Sequence, residues 1–211
     1  MLTRISCRHP LVTLSVGMFV VLLVSMRVSD VRAQTAVPPT ATPNPSSTWI
    51  IPGRRYYFPV QPPRIARYAN VHHDYPATDI FVPVSSIVVA VTHGVVDEVN
   101  RVDTWNRRTN EGAARGGLWV TIIGDDGVRY HTSHLSSIEP GIEAGVRVTA
   151  GQVIGHSGKT GNAVTTPPHV HFGISRPTFP GDWINRRGQV WPFRYLKAWT
   201  RGEDLTPILP T

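Results

Sequence analysis

Residues 167–174 read Pro-Pro-His169-Val-His171-Phe-Gly-Ile, a pattern that favours a β-strand with two different faces. Side chains at positions i and i+2 of a strand point to the same side, so His169 and His171 share one face. The other face carries apolar side chains, at Val170, Phe172 and Ile174. Imidazole is the commonest metal ligand in proteins and also an acid or base near neutral pH. The stretch therefore predicts a strand that packs on the core with one side and bears a site on the other.

The segment before this strand is also β-rich. Six runs there are β-branched or alternate between apolar and polar residues and, together with the strand over 169–175, they predict seven strands, the first six over 87–91, 94–99, 118–123, 128–131, 146–148 and 153–155. Gly-Asp-Asp-Gly at 124–127 is typical of a hairpin turn. No long helical period occurs. We therefore expect a mainly β fold, with a single compact antiparallel β-sheet domain and a loop-walled groove.

Three polar, glycine-rich segments are predicted to form the loops, at 103–117, 156–168 and 176–192. They contain tryptophans that either stack on a ligand at the groove rim or cover the core, namely Trp105, Trp183 and Trp191. Residues 192–199 are expected to form a short amphipathic helix or a covering strand.

The first 48 residues have the composition of an export signal and a tether. Basic residues precede an apolar run over 11–24, and small residues near position 33 resemble a cleavage site, so 1–33 is predicted to be a signal peptide or an N-terminal anchor. Residues 34–48 are a Pro/Thr-rich linker. The expected domain is 49–200, followed by a C-terminal tail over 201–211. The domain should therefore lie outside the cytoplasm, with membrane attachment only if the signal remains.

The net charge of +7 falls to +4 once residues 1–33 are removed, which suits an anionic wall surface. An exported chain without a basic cluster argues against nucleic acid as a partner. The only cysteine, Cys7, lies in the signal, so the domain has no thiolate ligands. A catalytic zinc site needs three protein ligands, and two histidines with one carboxylate are the natural set here. Histidines and aspartates cluster at 72–79, 131–134 and 169–171.

These clusters occur in an order that resembles the M23 family of zinc peptidases, the lysostaphin-like peptidoglycan endopeptidases. The matching stretch runs from about 79 to 174, and its motifs lie at 79–83, 89–96, 130–135, 145–155, 158–161 and 168–172. The resemblance implies that Zn²⁺ is the cofactor, with Asp79 and His171 as ligands. It implies that His134 and His169 are the catalytic pair, which orients water and stabilises the tetrahedral intermediate.

The third ligand stays open between two neighbouring histidines. The usual family spacing is His-x-x-x-Asp, which would place Tyr75 at the ligand position. Neutral tyrosine is a poor zinc ligand beside available imidazoles. The chain offers His73 or, as the alternative, His72, and we expect His73 to be the ligand.

The resemblance predicts a secreted, monomeric zinc endopeptidase that hydrolyses peptide bonds in peptidoglycan stems or cross-bridges. Because the His–Asp spacing is altered, the alternative is a catalytically degenerate regulator that binds and activates other wall hydrolases. His93, His131 and His156 are expected to be structural or surface residues. A regular strand would point His131 and His134 to opposite faces.

Overall fold

The computed structural model describes residues 50–210. The predicted signal peptide over 1–33 and the predicted linker over 34–48 lie outside these residues. In the part of the chain that is described, no helix combines the length and the apolar character needed to cross a membrane.

The described residues form nine strands and two short α-helices. The strands are β1 (Val60–Gln61), β2 (Thr78–Phe81), β3 (Ile87–Val89), β4 (Gly94–Asn100), β5 (Leu118–Gly124), β6 (Arg129–Ile138), β7 (Arg147–Val148), β8 (Val153–Ser157) and β9 (His169–Ser175). The helices are α1 (Trp183–Arg186) and α2 (Phe193–Thr200). Single 3₁₀ turns occupy Pro63–Ile65, Gly112–Ala114 and Gly161–Thr165. The seven predicted strands are confirmed, and β6 is longer than the sequence indicated.

All strand pairs are antiparallel, and most strands follow the order β1-β3-β8-β6-β5-β4-β7. Strand β6 is the central element because three strands pair with it. Its first half pairs with β9 and its second half with β8, while β5 runs along its other edge. Strand β2 pairs with β9 and completes the sheet. The predicted mainly β class with one antiparallel sheet is confirmed.

The turn between β5 and β6 has the predicted hairpin geometry. The Gly127 amide donates to the Gly124 carbonyl at 2.9 Å, and Gly127 adopts φ 74°, which glycine tolerates best. Asp126 Oδ1 accepts from the Val128 amide at 3.1 Å. This turn fixes the register of the hairpin and thus the position of every side chain on β6.

One face of the sheet packs on an apolar core that α2 covers. Val170, Phe172 and Ile174 are fully buried there, as the alternation along β9 predicts. Helix α2 contributes Trp199, which stacks on Tyr56 with ring centroids 5.5 Å apart. Residues 192–199 are thus mainly helical, the first of the two structures that the sequence allowed.

The residues after α2 return to the N-terminal edge of the described chain. Asp204 Oδ1 accepts from the backbone amides of Arg55 and Tyr56 at 3.1 and 3.2 Å. The Trp199 indole N–H donates to the Leu205 carbonyl at 2.9 Å. Residues 203–205 are therefore bonded to the domain.

We predict that Trp199→Ala destabilises the domain strongly. Trp199 is 1% exposed, and removing a buried Trp side chain costs about 3–5 kcal/mol. Trp191, which is 47% exposed, is the matched control, and Trp191→Ala should change stability by less than about 1 kcal/mol. Urea unfolding followed by circular dichroism measures both variants. Equal losses would contradict the core that the structure shows.

Candidate metal centre

The site begins with the pairing of β2 and β9. Asp79 lies directly opposite His171 in the antiparallel register, so their side chains extend from the same face. Asp79 Oδ1 is 3.0 Å from Nδ1 of His171. Phe81 lies opposite His169 in the same ladder. The pairing therefore brings a carboxylate from one end of the sequence to the histidine strand at the other.

A second histidine completes a group of three around this carboxylate. Nε2 of His72 is 3.5 Å from Asp79 Oδ1, and its ring lies 5.0 Å from that of His171. Ligand atoms of His72, Asp79 and His171 all lie within 4.8 Å of one another. Two imidazoles and one carboxylate at this separation are a donor set that suits zinc.

The geometry favours His72 over His73, the reverse of the order that we expected from the sequence. The His72 side chain is only 4% exposed and lies against the Tyr75 ring at 4.5 Å, whereas His73 is an exposed residue at the rim. The longer loop between His72 and Asp79 provides the reach that the altered spacing requires. Tyr75 packs beside the group and lines the cavity.

The hydrogen bonds of the two histidines fit a cation between them. Nε2 of His171 is 2.9 Å from the Arg187 carbonyl, which can only accept, so Nε2 carries a proton. In the neutral ring, the lone pair of Nδ1 then faces the carboxylate of Asp79, and a cation stabilises that arrangement. Nδ1 of His72 is buried and has no hydrogen-bond partner in the described chain. The residues present therefore fit a bound divalent metal.

Asp79 is held in its charged form. Burial raises the pKa of the carboxyl group, but the adjacent imidazoles of His171 and His72 outweigh burial and hold the pKa well below its usual range. Asp79 is thus deprotonated at neutral pH, as a carboxyl group that binds a metal must be.

The predicted catalytic pair lies beside the group of three. The rings of His134 and His169 are 4.8 Å apart, and Nε2 of His169 is 3.9 Å from Asp79 Oδ1. Nδ1 of His134 donates to the Thr160 carbonyl and Nδ1 of His169 donates to the Pro167 carbonyl, both at 2.9 Å. Because Nδ1 of each ring is used in this way, Nε2 of the neutral ring is the proton acceptor. The structure thus brings His134, His169, Asp79 and His171 together, with His72 rather than His73.

The expectation that His131 and His134 point to opposite faces is wrong. Two residues of β6, 133 and 134, lie opposite the single residue Trp119 of β5, so the strand bulges. His134 adopts φ 63°, an uncommon backbone conformation for a residue other than glycine. The bulge turns His134 onto the face of His131, and both line the same cavity.

His131 is a buried member of this face. Its Nδ1 is 2.9 Å from Thr121 Oγ1, and its ring is 6.3 Å from that of His171. Burial and the nearby Arg186 cation lower the pKa of His131 well below its usual range. Burial also lowers the pKa of His134 to about 3. Both side chains are therefore neutral at pH 7.

Two of the predicted loops meet next to His134. Gly161 adopts φ 66°, and a Cβ there would lie 2.0 Å from the Arg115 carbonyl, so only glycine permits this approach. The Gly161 amide donates to Asp103 Oδ2 at 2.8 Å. Thr160 Oγ1 accepts from the Leu118 amide at 3.0 Å and donates to the Leu135 carbonyl at 2.8 Å. These contacts hold the carbonyl of Thr160 that orients His134.

The third loop forms the opposite wall of a cavity of about 290 Å³. Arg129 is fully buried, pairs with Asp97 at 3.3 Å and donates to both the hydroxyl and the carbonyl of Thr178. Arg186 pairs with Glu98 at 2.5 Å. The sequence predicted this loop but not the ion pairs that hold it, because Asp97 and Glu98 lie far from Arg129 and Arg186 along the chain.

The tryptophans of the three loops have different surroundings. Trp183 lines the cavity and packs against Gly112, where a Cβ would lie 2.2 Å from the indole ring. Trp191 is exposed, and the Trp105 indole donates to Asn110 within its own loop. Trp183 is therefore the tryptophan of these three that lines the cavity.

The sequence matches peptidase family M23 over residues 73–185, more than half of the 211 residues. The chain belongs to this family. Among curated proteins it is 33% identical over 132 residues to the L-Ala--D-Glu endopeptidase of Bacillus subtilis (strain 168), covering 60% of this chain and 35% of that protein. It is 35% identical over 129 residues to the glycyl-glycine endopeptidase ALE-1 of Staphylococcus capitis, covering 61% and 30%. The chain thus spans about a third of each relative.

Solved structures agree with this assignment. The antimicrobial peptidase lysostaphin from Staphylococcus simulans superposes with a TM-score of 0.52 and 25% identity, covering 75% of this chain and 60% of that one. The expected lysostaphin-like fold is therefore confirmed. The M23 relatives are endopeptidases by name.

We predict that His72→Ala lowers the zinc affinity of the purified protein by about a hundredfold or more, because it removes one of the three side chains whose ligand atoms converge. His73→Ala is the matched control and should retain the affinity within about threefold. Competition with a chromogenic chelator measures both. A large loss in His73→Ala with none in His72→Ala would contradict the assignment of the third ligand.

Proposed function

We propose that this M23 chain is a zinc-dependent endopeptidase that hydrolyses peptide bonds of peptidoglycan outside the cytoplasm. The observation that carries the proposal is the convergence of five side chains in one cavity: His72, Asp79, His134, His169 and His171. The names of the curated relatives support peptidoglycan peptides as the substrate. The export signal expected over 1–33 supports the location.

His72, Asp79 and His171 would hold the zinc ion. When bound, zinc lowers the pKa of a water ligand and polarises a carbonyl group. The chain contributes the orientation of the ligands: the Arg187 carbonyl holds the His171 ring, and the sheet register holds Asp79.

His134 and His169 would move protons on the substrate side. Nδ1 of each ring donates to a backbone carbonyl, so each neutral ring presents an unprotonated Nε2. One of these atoms can take a proton from the attacking water. The N–H formed in this way can then donate to the oxyanion or to the departing amine.

The degenerate regulator remains the competing function, and the contacts of these histidines weigh against it. A binding module has no need to hold two imidazoles by Nδ1 in a common cavity. The positive φ of His134 adds a backbone cost of about 1–3 kcal/mol, which a functional role would explain.

We predict that His169→Ala and His134→Ala each reduce the release of peptides from purified peptidoglycan by about a hundredfold to ten thousandfold. Both variants should retain zinc, because neither residue is in the ligand group. His171→Ala should lose both zinc and activity. Mass spectrometry of the released fragments, with and without a chelator, measures activity, and atomic absorption measures zinc.

His156 provides the matched control. It lies on β8, 3.1 Å from Ser137 Oγ and 3.5 Å from Glu139, and it is not among the residues that line the cavity. His156→Ala should retain full activity. Full activity in the zinc-free wild-type protein would refute the proposed function.

A further inference from the structure

Arg187 differs from the two arginines that secure the same wall. Arg129 pairs with Asp97 and Arg186 pairs with Glu98, so both of those cations have a carboxylate. Arg187 lines the cavity and has no carboxylate within ion-pair distance among residues 50–210. An unpaired cation beside a substrate cavity is a candidate for binding an anionic group of the substrate.

Aromatic rings hold the Arg187 side chain in place. The guanidinium carbon lies 3.9 Å from the centroid of the Tyr75 ring and 5.3 Å from that of Trp183. Nε of Arg187 is buried and has no hydrogen-bond partner within the described residues. Stacking fixes the plane of the guanidinium group and leaves its edge, with the N–H donors, available to a carboxylate.

The backbone places this cation next to the metal centre. The carbonyl of Arg187 accepts from Nε2 of His171 at 2.9 Å. The acidic side chains that line the cavity are Asp79, which contacts the site histidines, and Asp74, at the exposed rim. Neither of these carboxylates lies within ion-pair distance of Arg187, so its guanidinium group is open to a carboxylate of the substrate.

We propose that Arg187 binds a free carboxylate of the peptide substrate, close to the bond that is cleaved. The inference rests on the proposed peptidase function and adds the class of substrate: acidic stem peptides rather than all-glycine bridges. A guanidinium group binds a carboxylate with two parallel hydrogen bonds, and amidation of that carboxylate removes the charge and half of the acceptors.

Two analogues of an L-Ala-D-Glu peptide test the proposal by isothermal titration calorimetry with the full-length zinc-loaded protein. Both have a reduced scissile amide, and the glutamate α-carboxylate is free in one and amidated in the other. A hydrogen bond to a charged group raises affinity by about tenfold to a hundredfold. The wild type should therefore bind the free-acid analogue more tightly than the amidated one by that factor. Arg187→Gln should bind both analogues equally, and Arg187→Lys should keep part of the preference.

Arg115→Gln is the matched control. Arg115 lines the same cavity, but its Nε donates to Asn110 Oδ1 at 3.1 Å, so this variant should keep the wild-type preference. Equal binding of both analogues by the wild type would overturn the proposal, as would a preference that persists in Arg187→Gln or disappears in Arg115→Gln. Thermal unfolding confirms that each variant is folded.

Hydrolysis of the unmodified peptides is measured separately. If the wild type cleaves no peptide but prefers the free acid, the peptidase function fails and carboxylate binding by Arg187 stands. If the wild type cleaves the free-acid peptide, the amidated peptide and pentaglycine with the same kcat/KM, the peptidase function stands and the proposal for Arg187 fails.

Discussion

The pairing of β2 with β9 is the constraint on which the site depends. It places Asp79 opposite His171, so a carboxylate and an imidazole that are far apart in sequence meet on one face of the sheet. His72 contacts the same carboxylate. His169 precedes His171 by two residues on β9, so both histidines lie on the same face. A shift of one residue in this register would turn Asp79 into the opposite face and remove the cluster.

The same strand explains how so many polar groups can be buried together. Every residue of β9 is buried, and its apolar face packs on an extensive core that offsets the desolvation of the histidines. On the site face, His134, His169 and His171 each donate to a backbone carbonyl, that of Thr160, Pro167 and Arg187 respectively. These partners come from the loops, so the sheet supplies position and the loops supply orientation. An Arg187 that bound substrate would add recognition to its role in orienting a ligand.

Much of this could be predicted from the sequence because it depends on local periodicity. Alternation along β9 predicted its two faces, and Gly-Asp-Asp-Gly predicted the hairpin. The face of His134 could not be predicted, because a bulge depends on how two strands align rather than on either strand alone. The choice between His72 and His73 depends on loop packing around Tyr75, and the wall held by Arg129 depends on long-range ion pairs. Neither leaves a pattern in neighbouring residues.

The central claim is that His72, Asp79 and His171 hold a zinc ion. Anomalous scattering at the zinc absorption edge, from crystals of the zinc-loaded protein, tests it most directly. We predict one strong peak within about 2.0–2.2 Å of a nitrogen from each of the two histidines and an oxygen of Asp79. A peak coordinated by His73 in place of His72, or one away from Asp79 and His171, would contradict it.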